Sequence, residues 1–182
     1  MFVDWNKSKE NAESMYNNNY VSSGLITGTQ WDVILNKVVE KTDLTEANLT
    51  ISSSWGNYQN NSISYIGRLA KATYNSYWYL ATFESNRTGT TTNYGSNAGD
   101  LLTTGASSET EKYHIFDMAG NLWEWTEETS FYGGNTSTQY CVFRGGSYIN
   151  ASSKYPACYR LGNITSNFTG IHVGFRTVLY IK

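Results

Sequence analysis

A carboxylate set between two tryptophans constrains this chain more than any other feature. It lies in residues 113–128, YHIFDMAGNLWEWTEE. Residues 114–116 read as a short strand, and residues 117–121 as a turn in which Gly120 and Asn121 tolerate backbone angles that most residues avoid. Residues 122–126 read as a second strand. Alternation puts Leu122, Glu124 and Thr126 on one face and Trp123 and Trp125 on the other. Glu124 is thereby held against a core, where an unpaired carboxylate costs several kcal/mol. Two partners answer that need. One is calcium, which takes roughly 6–8 oxygen ligands. Asp117 and Glu124 flank a turn whose carbonyls, at Gly120 and Leu122, can point inward with them. The stretch has no cysteine and its histidine precedes the turn, so a hard metal suits it better than zinc. The other partner is an arginine, such as Arg144 or Arg176, in a salt bridge.

With 182 residues the chain reads as a single domain, 1–182, large enough for a real core. Charged residues reach only 15% and the net charge is −2, so nothing in the charge points to nucleic acid or a membrane surface as partner. No apolar run approaches the roughly 20 residues of a spanning helix. The opening MFVDWNKSKENAES lacks the charged-then-apolar pattern of a signal peptide. Fifteen tyrosines, 16 glycines and a single proline, Pro156, among abundant Asn, Ser and Thr point to short strands and much loop. Cys141 and Cys158 read equally as one disulfide or as two thiols.

In chain order, Asp4 caps a first helix that runs to about Tyr16. After a polar break at 17–24, Thr27 and Gln30 have the spacing of a capping box. Trp31, Ile34, Leu35 and Val38 follow at i, i+3, i+4 and i+7, one buried stripe of a core helix without chemistry. The pattern weakens over 42–99. There Trp55-Gly-Asn-Tyr58 reads as a turn with an aromatic anchor, 65–72 as a short helical turn, 74–83 as strand or buried loop, and 87–99 as a surface loop. Beyond the central stretch, Tyr132-Gly-Gly-Asn reads as a turn, 140–143 as a strand, Arg144-Gly-Gly as a bend and 172–181 as a closing strand. The interval 148–172, rich in Tyr, Asn and Ser, is either an ordinary polar loop or a surface offering adaptable contacts to a ligand.

The motifs DMAGNLWEW at 117–125, FRGGSY at 143–148 and GFR at 174–176 together resemble the formylglycine-generating enzyme, or sulfatase-modifying factor, family. GLITGTQWDVIL at 24–35 and Trp55-Gly-Asn are similar to further elements of it. The resemblance implies an α+β, irregular C-type lectin-like fold with two helices, short strands and much loop. It also implies a structural calcium site formed by the Asp117 side chain, the Gly120 and Leu122 carbonyls, and Glu124. Catalytic members oxidise a cysteine of a sulfatase peptide with oxygen and copper(I), the metal held by a cysteine pair. Asn150 stands at the first cysteine position here, two residues after GGSY, and Cys158 stands at the second. With one sulfur missing, copper is not expected. The alternative reading, a copper-dependent formylglycine-generating oxidase with Cys158 catalytic, is disfavoured, and Cys141 substitutes only if the backbone brings it to Cys158. Iron-using relatives need a histidine cluster, for which His114 and His172 are too few. Against the family, the sequence is expected to lack the usual strands before the first helix.

The favoured expectation is therefore a non-catalytic module for a protein or glycan ligand, on a phage or bacterial surface. Retroelement-diversified variable proteins use this fold and vary the interval between the RGGS-type and GFR-type motifs. Residues of the favoured types there are Tyr148, Asn150, Ser152, Tyr155, Tyr159, Asn163 and Asn167.

Overall fold

A computed structural model describes residues 2–61, 63–66, 71–75, 77–81, 88–91 and 101–182. The elements begin with α1 (Trp5–Met15), β1 (Val21–Leu25), α2 (Gly28–Lys41) and α3 (Glu46–Ile51). Next come β2 (Ile63–Ile66), β3 (Lys71–Asn75), β4 (Tyr77–Ala81), β5 (Thr88–Thr91) and β6 (Leu101–Leu102). The chain continues through β7 (Glu111–Lys112), β8 (Ile115–Phe116), β9 (Trp123–Tyr132) and β10 (Asn135–Arg144). It ends with β11 (Arg160–Ile164), β12 (Val173–Phe175) and β13 (Thr177–Ile181). This is the expected α+β chain of short strands, with α3 as a third helix. It gathers into two compact units. One comprises Met1–Ile34, Trp123–Arg144 and Arg160–Lys182, the other Leu35–Leu122 and Gly145–Tyr159.

In the first unit, the Asp4 carboxylate accepts the Lys7 N–H at 2.7 Å and starts α1 as expected. The Ser23 hydroxyl on β1 donates to the Ala12 carbonyl, fastening the end of that helix. At the start of α2, the Thr27 N–H donates to Gln30 Oε1 (2.9 Å) and the Gln30 N–H to the Thr27 hydroxyl (3.1 Å), a reciprocal box. Trp31, Leu35 and Val38 form the buried stripe of α2. β9 and β10 make a hairpin closed by Gly133 and Gly134 at φ +64° and +75°, angles a tight hairpin turn requires and glycine supplies. The sheet runs β11-β10-β9-β12, with β12 parallel to β9. Its core packs Trp125 on Phe143, ring centroids 4.0 Å apart, with Phe168 at 5.8 Å from Phe143. The Trp125 indole N–H donates to the Val3 carbonyl and that of Trp5 to the Thr126 carbonyl, so both are satisfied. The expected closing strand is two strands. After β12 the chain leaves the sheet at Arg176, and β13 pairs antiparallel with β1.

In the second unit, Asn48 Oδ1 accepts the N–H and hydroxyl of Thr45, both at 2.8 Å, which starts α3. Ser52 ends it in the left-handed region at φ 54°. Trp55 and Tyr58 are buried, as their turn demanded. Tyr65 and Lys71 lie in strands β2 and β3, which corrects the helical turn expected over 65–72; residues 67–70 lie outside the described set. Thr88–Thr91, read as loop, is β5 paired with β2 from Ile63↔Thr91 to Ile66↔Thr88. Two four-residue strands carry too little periodicity to identify without their partners. Of residues 74–83, those described belong to β3 and to β4, which pair antiparallel.

Candidate functional site

Asp117, Gly120 and Asn121 all take positive φ, at +58°, +73° and +59°. Three such residues in one short turn are held only because the surroundings fix them. The Asp117 N–H donates to the Thr110 carbonyl (3.1 Å), that of Gly120 to Gly145 (2.8 Å), and that of Asn121 to Asn57 (2.8 Å). The Asn121 side chain is buried and engaged at both ends. Its Oδ1 accepts from the Leu102 N–H and from Asn57 Nδ2, and its Nδ2 donates to the Leu102 carbonyl, all between 3.0 and 3.1 Å. A Cβ at Gly120 would run into the Asn57 backbone. Asn57 and Leu102 are site-building residues that sequence reading missed. The Trp55-Gly-Asn-Tyr58 turn was visible, but nothing local announces that its asparagine meets Asn121.

Of the expected calcium ligands, buried Asp117 and Gly120 and half-buried Leu122 belong to the second unit and Glu124 to the first. Glu124 is 8% exposed on β9, opposite Arg144 of β10 and Gly174 of β12. Its Oε2 accepts from Arg176 Nε and its Oε1 from Arg176 Nη2, both at 2.7 Å, a bidentate fork. The other candidate arginine is committed elsewhere. Arg144 pairs with Asp32, lies 3.8 Å from Glu128, and sets its guanidinium 6.0 Å over the Trp31 ring. Arg160 pairs with Glu128 as well.

Whether Glu124 suits a calcium ion follows from this fork. A guanidinium already spans both carboxylate oxygens. In this arrangement the positive charge that Glu124 needs is supplied by Arg176.

Asn150 and Cys158, the two positions that the resemblance sets against a cysteine pair, both belong to the second unit. Asn150 Oδ1 accepts the Ser147 N–H (3.1 Å) and hydroxyl (2.8 Å), while its carbonyl accepts the Gln59 N–H (3.0 Å). The residue at the first cysteine position thus closes a turn. Cys158 is half-buried, its N–H bonded to the Leu49 carbonyl. Cys141 is buried on β10 in the first unit, and burial pushes its thiol up to about 11. Neither cysteine is in a disulfide, which removes that reading.

The seven candidate ligand residues do not share one role. Tyr148 and Ser152 are buried, and Ser152 is tied by N–H and hydroxyl to the Asn60 side chain. Both hold the segment's interior and present nothing to a ligand. Burial also raises the pKa of the Tyr148 hydroxyl. Tyr155 and Tyr159 are half-buried and meet edge to face, centroids 5.0 Å apart, with the Lys154 ammonium 5.2 Å from the Tyr155 centroid. Asn163 and Asn167 are exposed in the first unit. The Tyr58 hydroxyl donates to the Gly145 carbonyl at 2.8 Å, and a Cβ at Gly146 (φ +74°) would strike the Tyr155 carbonyl. Gly146 of FRGGSY is therefore demanded by close packing, and Gly145 by its φ of +87°.

Among known proteins, the sulfatase-modifying factor enzyme 1-like domain family (FGE-sulfatase) matches residues 44–181. Among solved structures, Treponema denticola variable protein 1 is similar, with 18% identity and a TM-score of 0.43 over 88% of this chain and 49% of that one. The chain spans about half the length of that protein. No curated protein gives a significant match. Among the described residues no helix is long and apolar enough to cross a membrane. With the family match covering well over half of the sequence and the three motifs in place, the chain belongs to the sulfatase-modifying factor enzyme 1-like family.

Proposed function

We propose that this chain is a non-catalytic binding module built on the sulfatase-modifying factor scaffold, taking a protein or glycan ligand. One observation carries the reading: Asn150 occupies the first cysteine position, and its amide oxygen is committed to Ser147. Copper(I) is held by soft sulfur ligands, and a hydrogen-bonded amide is no substitute. Cys158 alone leaves the oxidase without its metal site.

The ligand surface includes Tyr155 and Tyr159 with Lys154 beside them. Paired tyrosines give large, rigid, amphipathic contacts at low entropic cost. A phage or bacterial surface role with retroelement diversification fits Asn150, Tyr155 and Tyr159 of the second unit, while Asn163 and Asn167 are exposed on the first. Tyr148 and Ser152 belong to the packing instead.

The test has two arms on the purified chain. Incubated with copper(I), oxygen and a sulfatase-type cysteine peptide, it is expected to leave the peptide unoxidised. On a glycan and surface-protein array it is expected to bind, with Tyr155→Ala and Tyr159→Ala each weakening binding about tenfold, the order of a lost aromatic contact. Oxidation that disappears in Cys158→Ser would reverse the reading.

A further inference from the structure

We propose that Arg176 is the built-in cation of the Glu124 site, so that the chain secures its Trp-Glu-Trp strand without a bound calcium ion. The geometry places this arginine for the task at backbone and side chain alike. Arg176 stands at the break between β12 and β13, where the chain passes from one sheet to the other. Its carbonyl accepts the Ile26 N–H at 3.2 Å, and the Ile26 carbonyl in turn accepts the Glu127 N–H at 2.9 Å. The arginine is thus anchored by its main chain to a segment that also anchors β9. From that position its guanidinium reaches Glu124 with two parallel bonds of 2.7 Å. Gly174, opposite Glu124 on β12, has no side chain to stand between them.

The neighbouring charges support the same assignment. Arg144 faces Glu124 in register, yet its guanidinium serves Asp32 and Glu128. Glu124 therefore takes its positive charge from a residue 52 positions away. A forked guanidinium satisfies both carboxylate oxygens and the desolvated charge together, which is what calcium would otherwise supply. This inference does not rest on the binding-module reading. It would hold equally for a catalytic chain.

The experiment uses the intact chain, purified without chelator. Elemental analysis is expected to find far less than one calcium per chain. Thermal melting is expected to be the same in EDTA and in millimolar calcium. Arg176→Gln and Glu124→Gln should each lower the melting temperature by several degrees. The double variant should melt no lower than the worse single, because each single substitution already breaks the pair. Should Arg176→Gln not fold, Arg176→Lys keeps the charge without the fork and is expected to melt lower than the parent while staying indifferent to calcium. One calcium per chain, a fall in the parent's melting temperature on chelation, or fully additive losses in the double variant would each overturn the proposal.

Discussion

Asn121 shows how much of this fold one side chain closes. It sits at positive φ, where asparagine is tolerated, and it spends its amide on three partners from two distant segments. Asn121→Ala leaves the Leu102 N–H and carbonyl and the Asn57 amide without it in a buried setting. Each such loss costs about 1–3 kcal/mol, so the substitution should destabilise by more than about 2 kcal/mol in urea denaturation. An unchanged denaturation midpoint would show that the network contributes nothing. The residue type was legible in the sequence as a turn residue, but its partners were not. They lie 64 and 19 positions away, and no periodicity links them. Glu124 has the same history. Its need for a cation followed from two flanking tryptophans, while two arginines satisfied that need equally well on paper.

Among the elements, those with local signals were read correctly. The α2 box needs only Thr27 and Gln30, three residues apart, and the hairpin needs only its two glycines. Thr27→Ala removes the hydroxyl that caps the Gln30 N–H. It should cost about 1 kcal/mol, seen as a lower melting temperature, and Thr27→Ser should restore most of it. Elements with atypical or non-local signals were misread or missed. α3 starts on Asn48 where glutamate or glutamine marks the usual box, so its start was not recognised. β5 and β11 lie in polar stretches, and become strands because β2 and β10 are there to pair with them. Strand propensity is largely a statement about neighbours, and one sequence does not display them.

For the whole molecule, burial predicts where the structure opens last. Trp125, Val142 and Phe143 are at most 2% exposed in the central hairpin, whereas Leu179 and Ile181 near the end of β13 are 58% and 91% exposed. Hydrogen exchange should therefore be slowest in β9 and β10 and fast at the end of β13. Equal rates in both would mean that the hairpin is not the stable centre. The sequence by itself determined the family, the turn with its buried carboxylate and two helix starts. All of these are set by residue identity over a short span. Tertiary structure alone decided that Tyr148 and Ser152 are packing residues, that Asn57 and Leu102 complete the turn, and which arginine meets Glu124. The physical reason for the last is the path of the chain. Arg144 and Arg176 carry the same charge, but the break after β12 aims only Arg176 at Glu124, while Asp32 and Glu128 engage Arg144.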